Sequence, residues 1–200
     1  MLVAGMLSGL RDKLGPIIDP IADIFARAGF SPNVLTLAGL LVGLAAAYLF
    51  ASGQEQLAGL AVLACGFFDL IDGAVARKTG SQTAFGGVLD SFVDRYVDLM
   101  FFIGIVIGGL AEAGGLPGWL WGVLALSGSF MVSYTRARAE AAGSEKLDIG
   151  FAERGERLLI IAIFSLLGCV RYALVVLVFL THLTAFHRLI AARSRLARAW

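Results

Sequence analysis

Residues 69–94 read DLIDGAVARKTGSQTAFGGVLDSFVD, and the conflict inside that stretch decides the fold. It sits within long apolar runs, yet Asp69, Asp72, Asp90 and Asp94 all stand in it. Away from it in both directions the chain is oily: 58% of its 200 residues are hydrophobic, 16% are charged, and mean hydropathy is +0.84. Those values lie well outside the averages of soluble domains and put the chain in a bilayer. A helix needs roughly 20 apolar residues to cross about 30 Å of hydrocarbon. Six stretches meet that need, near 33–51, 57–77, 84–110, 118–138, 155–170 and 172–192. Carboxylates interrupt the second and third, and the fourth ends in Arg136 and Arg138, so these stand out less cleanly than the first and last. The expected fold is an all-α membrane bundle of six transmembrane helices within 33–192, forming one domain over 1–200 with no internal repeat or linker.

Ahead of the first span, residues 8–30 set Arg11, Lys13, Asp19, Asp23 and Arg27 among Leu10, Leu14, Ile17, Ile18, Ile21, Ile24 and Phe25 at near-helical spacing. This predicts an amphipathic helix lying in the membrane interface, with a solvated cytoplasmic helix as the alternative. Ser31-Pro32-Asn33 supplies a cap with proline in the first turn, a sharp helix start. The first fifteen residues lack the apolar run and cleavage site of a signal peptide, so the first span is expected to direct insertion. The formal net charge of +1 conceals an uneven distribution. Of sixteen Lys and Arg, fourteen fall on one side of the six spans: Arg11, Lys13, Arg27, Arg77, Lys78, Arg136, Arg138, Lys146, Arg154, Arg157, Arg188, Arg193, Arg195 and Arg198. Arg171 falls on the other side, and Arg95 lies inside the third span. By the positive-inside rule both termini are cytoplasmic. Cys65 and Cys169 lie far apart in apolar runs and suggest neither zinc spacing nor a disulfide framework.

A carboxylate at the bilayer centre costs about 2.5–3.5 kcal/mol on insertion scales, so several in adjacent spans call for a cation among them. Asp69 and Asp72 are three apart and Asp90 and Asp94 four apart, so each pair shares a helix face and two faces can form an oxygen cage. Hard divalent ions prefer such oxygens; Mg²⁺ is the expected ion, with Mn²⁺ as the alternative. Gly73, Ala76, Gly86 and Gly87 clear space beside the acids, either for a ligand or for helix packing. Arg77 either binds phosphate or anchors its helix at the basic surface. Intramembrane acids also mark ion pathways, so a cation transporter is the competing class; there, acids are expected at several depths, whereas these sit near the basic ends of two spans.

Asp69, Asp72, Gly73, Ala76, Arg77, Gly86, Asp90 and Asp94 together resemble the signature of the CDP-alcohol phosphotransferase family, D-x2-D-G-x2-A-R-x8-G-x3-D-x3-D, at every fixed position. The resemblance implies attack by an alcohol on the β-phosphorus of a CDP-linked substrate with release of CMP. It implies two metal ions held by Asp69, Asp72, Asp90 and Asp94, with Asp94 also the general base. It places the nucleotide against Asp72, Gly73, Ala76, Arg77 and Gly86, with Thr79 and Asn33 as further candidates. Asp98, one turn beyond the signature, is expected to pair with Arg95 or another cation. Family likeness also implies a homodimer in the plasma membrane of a prokaryote, with membrane lipid and no nucleic acid as partner.

The acceptor is read from arginines outside the signature. S-Y-T-R-A-R-A-E closes the fourth span at 133–140 and A-E-R-G-E-R opens the fifth at 152–157. Guanidinium groups bind phosphate oxygens through paired hydrogen bonds, so arginines converging there suit a phosphorylated acceptor, positive-inside anchoring being the other reading. The two runs resemble the inositol-phosphate-using branch of the family, which implies Arg136 and Arg154 on the acceptor phosphate, with Ser133, Arg188 and Arg195 as further candidates. A neighbouring branch couples CDP-inositol to inositol phosphate, and a glycerol phosphate acceptor is a further alternative.

Overall fold

The structure, a computed structural model, describes residues 6–197, with side chains from residue 15 onward. Arg198 and the side chains of Leu10, Arg11, Lys13 and Leu14 lie outside the described residues. Among the described residues seven α-helices follow one another: α1 (Met6–Arg27), α2 (Pro32–Ala51), α3 (Glu55–Thr79), α4 (Ala84–Ile107), α5 (Gly118–Ala141), α6 (Arg154–Leu166) and α7 (Val170–Leu196). Among the described residues the only β-type pairing is an isolated bridge between Ala113 and Leu116, in the loop before α5. By length and composition α2, α3 and α7 suffice to cross a membrane. Their outward faces carry large apolar side chains such as Leu41, Tyr48, Phe179 and Leu183, the pattern of helices solvated by lipid.

The helix ends follow local chemistry. Ser31 caps α2 by accepting from the Val34 amide, with Pro32 in the first turn, as its sequence predicts. Gly80, at φ +65°, ends α3 in the left-handed conformation that glycine adopts without strain. Thr83 then caps α4, its Oγ1 accepting from the Gly86 amide at 2.9 Å. The fifth predicted stretch, 155–170, is cut short: α6 stops at Leu166, and Gly168, at φ +69°, turns the chain into α7. Thirteen residues of helix span only about 20 Å at 1.5 Å each.

Helix α2 packs against α3 and α4, α3 against α6 and α1, and α5 and α6 against α7. Phe50, Val62, Phe101, Ile105, Leu174 and Leu177 fill the shared core. Missing side chains permit the closest approaches. A Cβ on Gly104 would strike the Ala47 carbonyl of α2, and one on Gly128 would strike Thr181 of α7. These glycines of α4 and α5 therefore serve packing within the chain. Helix α1 runs through Pro16 and Pro20 and buries Ile18 and Ala22 against Ile71, Ala74 and Val75 of α3. Lys78 ties the two helices together, 2.7 Å from Asp23 and donating to the Asp19 carbonyl. Helix α1 stops at Arg27, short of the predicted residue 30, where Gly29 turns the chain at φ +79°.

The antiparallel run of helices sorts polar residues by end. Asp69–Thr79 closes α3, Thr83–Asp98 opens α4, Ser133–Glu140 closes α5, Arg154–Arg157 opens α6 and Arg188 lies in the last turns of α7, so all gather at one end of the bundle. At the other end Glu55, buried in the first turn of α3, accepts from the Val170 amide and so caps α7, whose N-cap residue Cys169 offers no side-chain bond.

Candidate active site: an acid trio between two cavities

Carboxylate oxygens of Asp69, Asp90 and Asp94 lie within 4.8 Å of one another. Ions such as Mg²⁺ and Ca²⁺ hold oxygen at about 2.0–2.6 Å, so oxygens at this spacing can share a small hard cation. A cation already occupies part of the space: Arg154, from the first turn of α6, reaches Asp69 and lies 2.9 Å from Asp94 Oδ1. The fourth predicted acid, Asp72, stands apart from the trio. It is almost fully buried and accepts a 2.6 Å hydrogen bond from Thr36 Oγ1 of α2. A small cavity lined by both Asp69 and Asp72 adjoins that bond.

A cavity of about 230 Å³ adjoins Asp72 and Asp90. Asn33, Asp72, Gly73, Ala76, Arg77, Gly86 and Asp90 line it. These include every residue expected at a nucleotide except Thr79, whose hydroxyl donates to the Val75 carbonyl one turn back and faces Ser81. Gly86 is tight: a Cβ there would lie 3.0 Å from Thr83 Oγ1 and 3.4 Å from Asn33 Oδ1.

A larger cavity of about 730 Å³ shares Asp90 with it. Asp69, Asp90 and Asp94 form one wall, and Ser133, Arg136, Arg154 and Arg188 contribute to the rest. Arg195 is not among its lining residues; it donates at 2.8 Å to the Lys146 carbonyl and holds the α5–α6 loop. Arg136 meets Glu140 and Asp148, each at 3.0 Å. Arg188 is buried and donates to the Ile149 and Val132 carbonyls, while its Nη2 has no hydrogen-bond partner among the described residues and lies 3.6 Å from Glu153.

Sequence reading missed several contacts here. Thr36 carried no signal beyond a polar residue in a span. Glu153 caps α6 in a reciprocal pair with Glu156, and its acidic E-x-x-E pattern departs from the usual Ser/Thr cap box. Asp98 takes Arg157 as its partner at 2.7 Å, both side chains being almost completely buried. Arg95 turns elsewhere, to Ser133, with Asp94 3.5 Å away.

Residues 29–186 match the CDP-alcohol phosphatidyltransferase family, more than half of the chain and all of the acid-bearing segment. The chain belongs to that family. It is therefore a transferase and a membrane protein. The archaetidylinositol phosphate synthase of Pyrococcus horikoshii is 42% identical over 96% of this chain and 98% of its own length. A crystal structure of Mycobacterium tuberculosis phosphatidylinositol phosphate synthase with CDP-DAG bound superposes with TM-score 0.77 and 32% identity, covering 88% of this chain and 94% of that one. The same enzyme with manganese and citrate gives TM-score 0.77 and 31% identity over 88% of each chain. A metal thus accompanies this architecture in a relative, and the acid trio offers hard oxygen donors for one here.

Proposed function

We propose that this chain makes an inositol phospholipid phosphate, moving a phosphatidyl-type group from a CDP-linked lipid to a hydroxyl of inositol phosphate and releasing CMP. One observation carries the reading: Asp90 lines both cavities, so a donor on the small-residue side and an acceptor on the arginine side would meet across the acid trio. The names of the relatives point to the same acceptor.

In this reading Asp69, Asp90 and Asp94 hold Mg²⁺ or Mn²⁺, with Asp72 completing a two-ion set from the neighbouring cavity. Metal held by these residues would supply Lewis-acid polarisation of the diphosphate and offset charge growing on the leaving CMP. The chain does the rest. Gly73, Ala76 and Gly86 let the nucleotide approach the backbone, and Asn33 and Arg77 offer polar contacts. Asp94 takes the proton of the attacking hydroxyl. Arg136, Arg154 and Arg188, with Ser133, hold the acceptor phosphate; Arg154 and Arg188 both carry buried guanidinium nitrogens with no hydrogen-bond partner among the described residues, which a phosphate would satisfy.

The six-span topology belongs to the proposal: α2 to α7 traverse the plasma membrane of a prokaryote, the thirteen-residue α6 doing so together with the loops that flank it, α1 lies along the interface, and both termini and the cavities face the cytoplasm, where fourteen of sixteen basic residues fall. A homodimer is proposed on family likeness, and mass photometry in nanodiscs tests it by particle mass.

To test the reaction, purified chain is incubated with Mg²⁺ and either diacyl or archaeal ether CDP-lipid. The acceptor panel is inositol phosphate, glycerol 3-phosphate, serine and inositol. CMP release with inositol phosphate well above the others is expected. A preference for serine or free inositol would overturn the arginine argument, and CMP release with none would overturn the function.

A further inference from the structure

Arg154 belongs to two sites with opposite demands. It lines the arginine cavity, where the proposed function asks it to hold a phosphate. Its Nη1 is nevertheless engaged by Asp69 and, at 2.9 Å, by Asp94 Oδ1, two members of the acid trio. A guanidinium nitrogen cannot stay beside those oxygens while a divalent ion bonds to them at about 2.0–2.6 Å, because the two cations repel and would crowd into the same space.

We propose that Arg154 is a built-in competitor for the metal: metal loading expels it from the acids into the arginine cavity, so the acceptor-phosphate site is completed only on a loaded enzyme. The proposal deepens the function read above and rests on it for the roles of metal and acceptor. Before loading, the guanidinium spares the trio the cost of clustered, uncompensated negative charge in an apolar bundle. The backbone around it is held. Glu153 and Glu156 lock the start of α6, and Arg157, three residues on, is fixed to Asp98 and to the Ala152 carbonyl. Motion is thereby left to the Arg154 side chain, whose stem pivots between two adjacent walls of one cavity. Arg95, the other cation near Asp94, is held by Ser133 and does not follow. The consequence is an order of events: metal first, acceptor second, with no phosphorylated acceptor captured beside an unloaded centre.

The test uses full-length chain in nanodiscs, Mn²⁺ as metal and sulfate as anion probe. Calorimetry should give Arg154→Gln a Mn²⁺ affinity roughly tenfold or more above that of the wild type, within the usual range of coupling between sites. Mn²⁺ should raise wild-type sulfate affinity by a similar factor, sulfate should raise Mn²⁺ affinity equally, and the gain should vanish in Arg154→Gln. An unchanged or weakened Mn²⁺ affinity in the variant overturns the proposal, as does an equal sulfate gain in both proteins. If Arg154→Gln does not fold, phenylglyoxal labelling of wild-type Arg154, read by peptide mass spectrometry, decides: labelling that rises with Mn²⁺ supports displacement, and labelling that stays level or falls overturns it. None of these readouts involves group transfer. Failure to release CMP would therefore strike the proposed function alone, and failure here would leave CMP release intact.

Discussion

The two cavities beside the acid trio are built in different ways. The smaller is nearly local: residues 72–90 supply most of its wall as a helix end, a turn and the next helix start, and α2 adds Pro32, Asn33 and Thr36. The larger draws on α3, α4, α5, α6 and α7, with residues from Asp69 to Arg188. One is shaped by small side chains that let a ligand near the backbone. The other is shaped by guanidinium groups held by carbonyls and acids from distant segments. A ligand's fixed, shared part suits the first construction and a variable part the second, since the arginines on separate helices other than Arg154 can change without touching the acid-bearing motif.

The comparison breaks first at the junction. Asp94→Asn should lower turnover by roughly 10²- to 10⁴-fold, the usual contribution of a general base, while binding of CDP-lipid persists; wild-type rates in nanodiscs would remove Asp94 from that role. Next comes the support beneath the larger cavity. Asp98→Asn strands buried Arg157 and should cost about 3–5 kcal/mol of stability, read as a lowered melting temperature in detergent; an unchanged transition would mean that the pair does not anchor α6.

Two smaller changes separate the cavities directly. Arg136→Gln should raise KM for the acceptor by roughly tenfold or more, the loss of one charged hydrogen bond, and leave KM for the CDP-lipid alone. Gly86→Ala should do the reverse, because its new Cβ crowds Thr83 and Asn33 on the nucleotide side. Equal shifts in both constants for either variant would merge the two cavities into one site. The least effect is expected of Arg195→Ala, which loosens only the α5–α6 loop and should change both constants by less than about twofold; a large rise in acceptor KM would bring Arg195 into the site.

Much of the smaller cavity was legible in advance because its spacing is helical: acids three and four residues apart share a face whatever surrounds them, and Ser31 and Gly80 punctuate the chain by local chemistry. Helix α6 was overread, since apolar residues continue past Leu166 although Gly168 turns the backbone. The arginine side was legible only as a set of candidates. Nothing in the order of residues says that Arg188 reaches two carbonyls and Arg195 a loop, or that Asp98 takes Arg157 over its neighbour Arg95.

By itself, then, the sequence determined the helical membrane class, the family and the acid-bearing motif, because hydropathy and helical period act within one segment. Only the tertiary structure decided that Asp72 accepts from Thr36, and that Arg154, expected on the acceptor phosphate, sits on Asp69 and Asp94. Those choices depend on how far apart whole helices pack, and glycines such as Gly104 and Gly128 set that distance through contacts with residues many positions away.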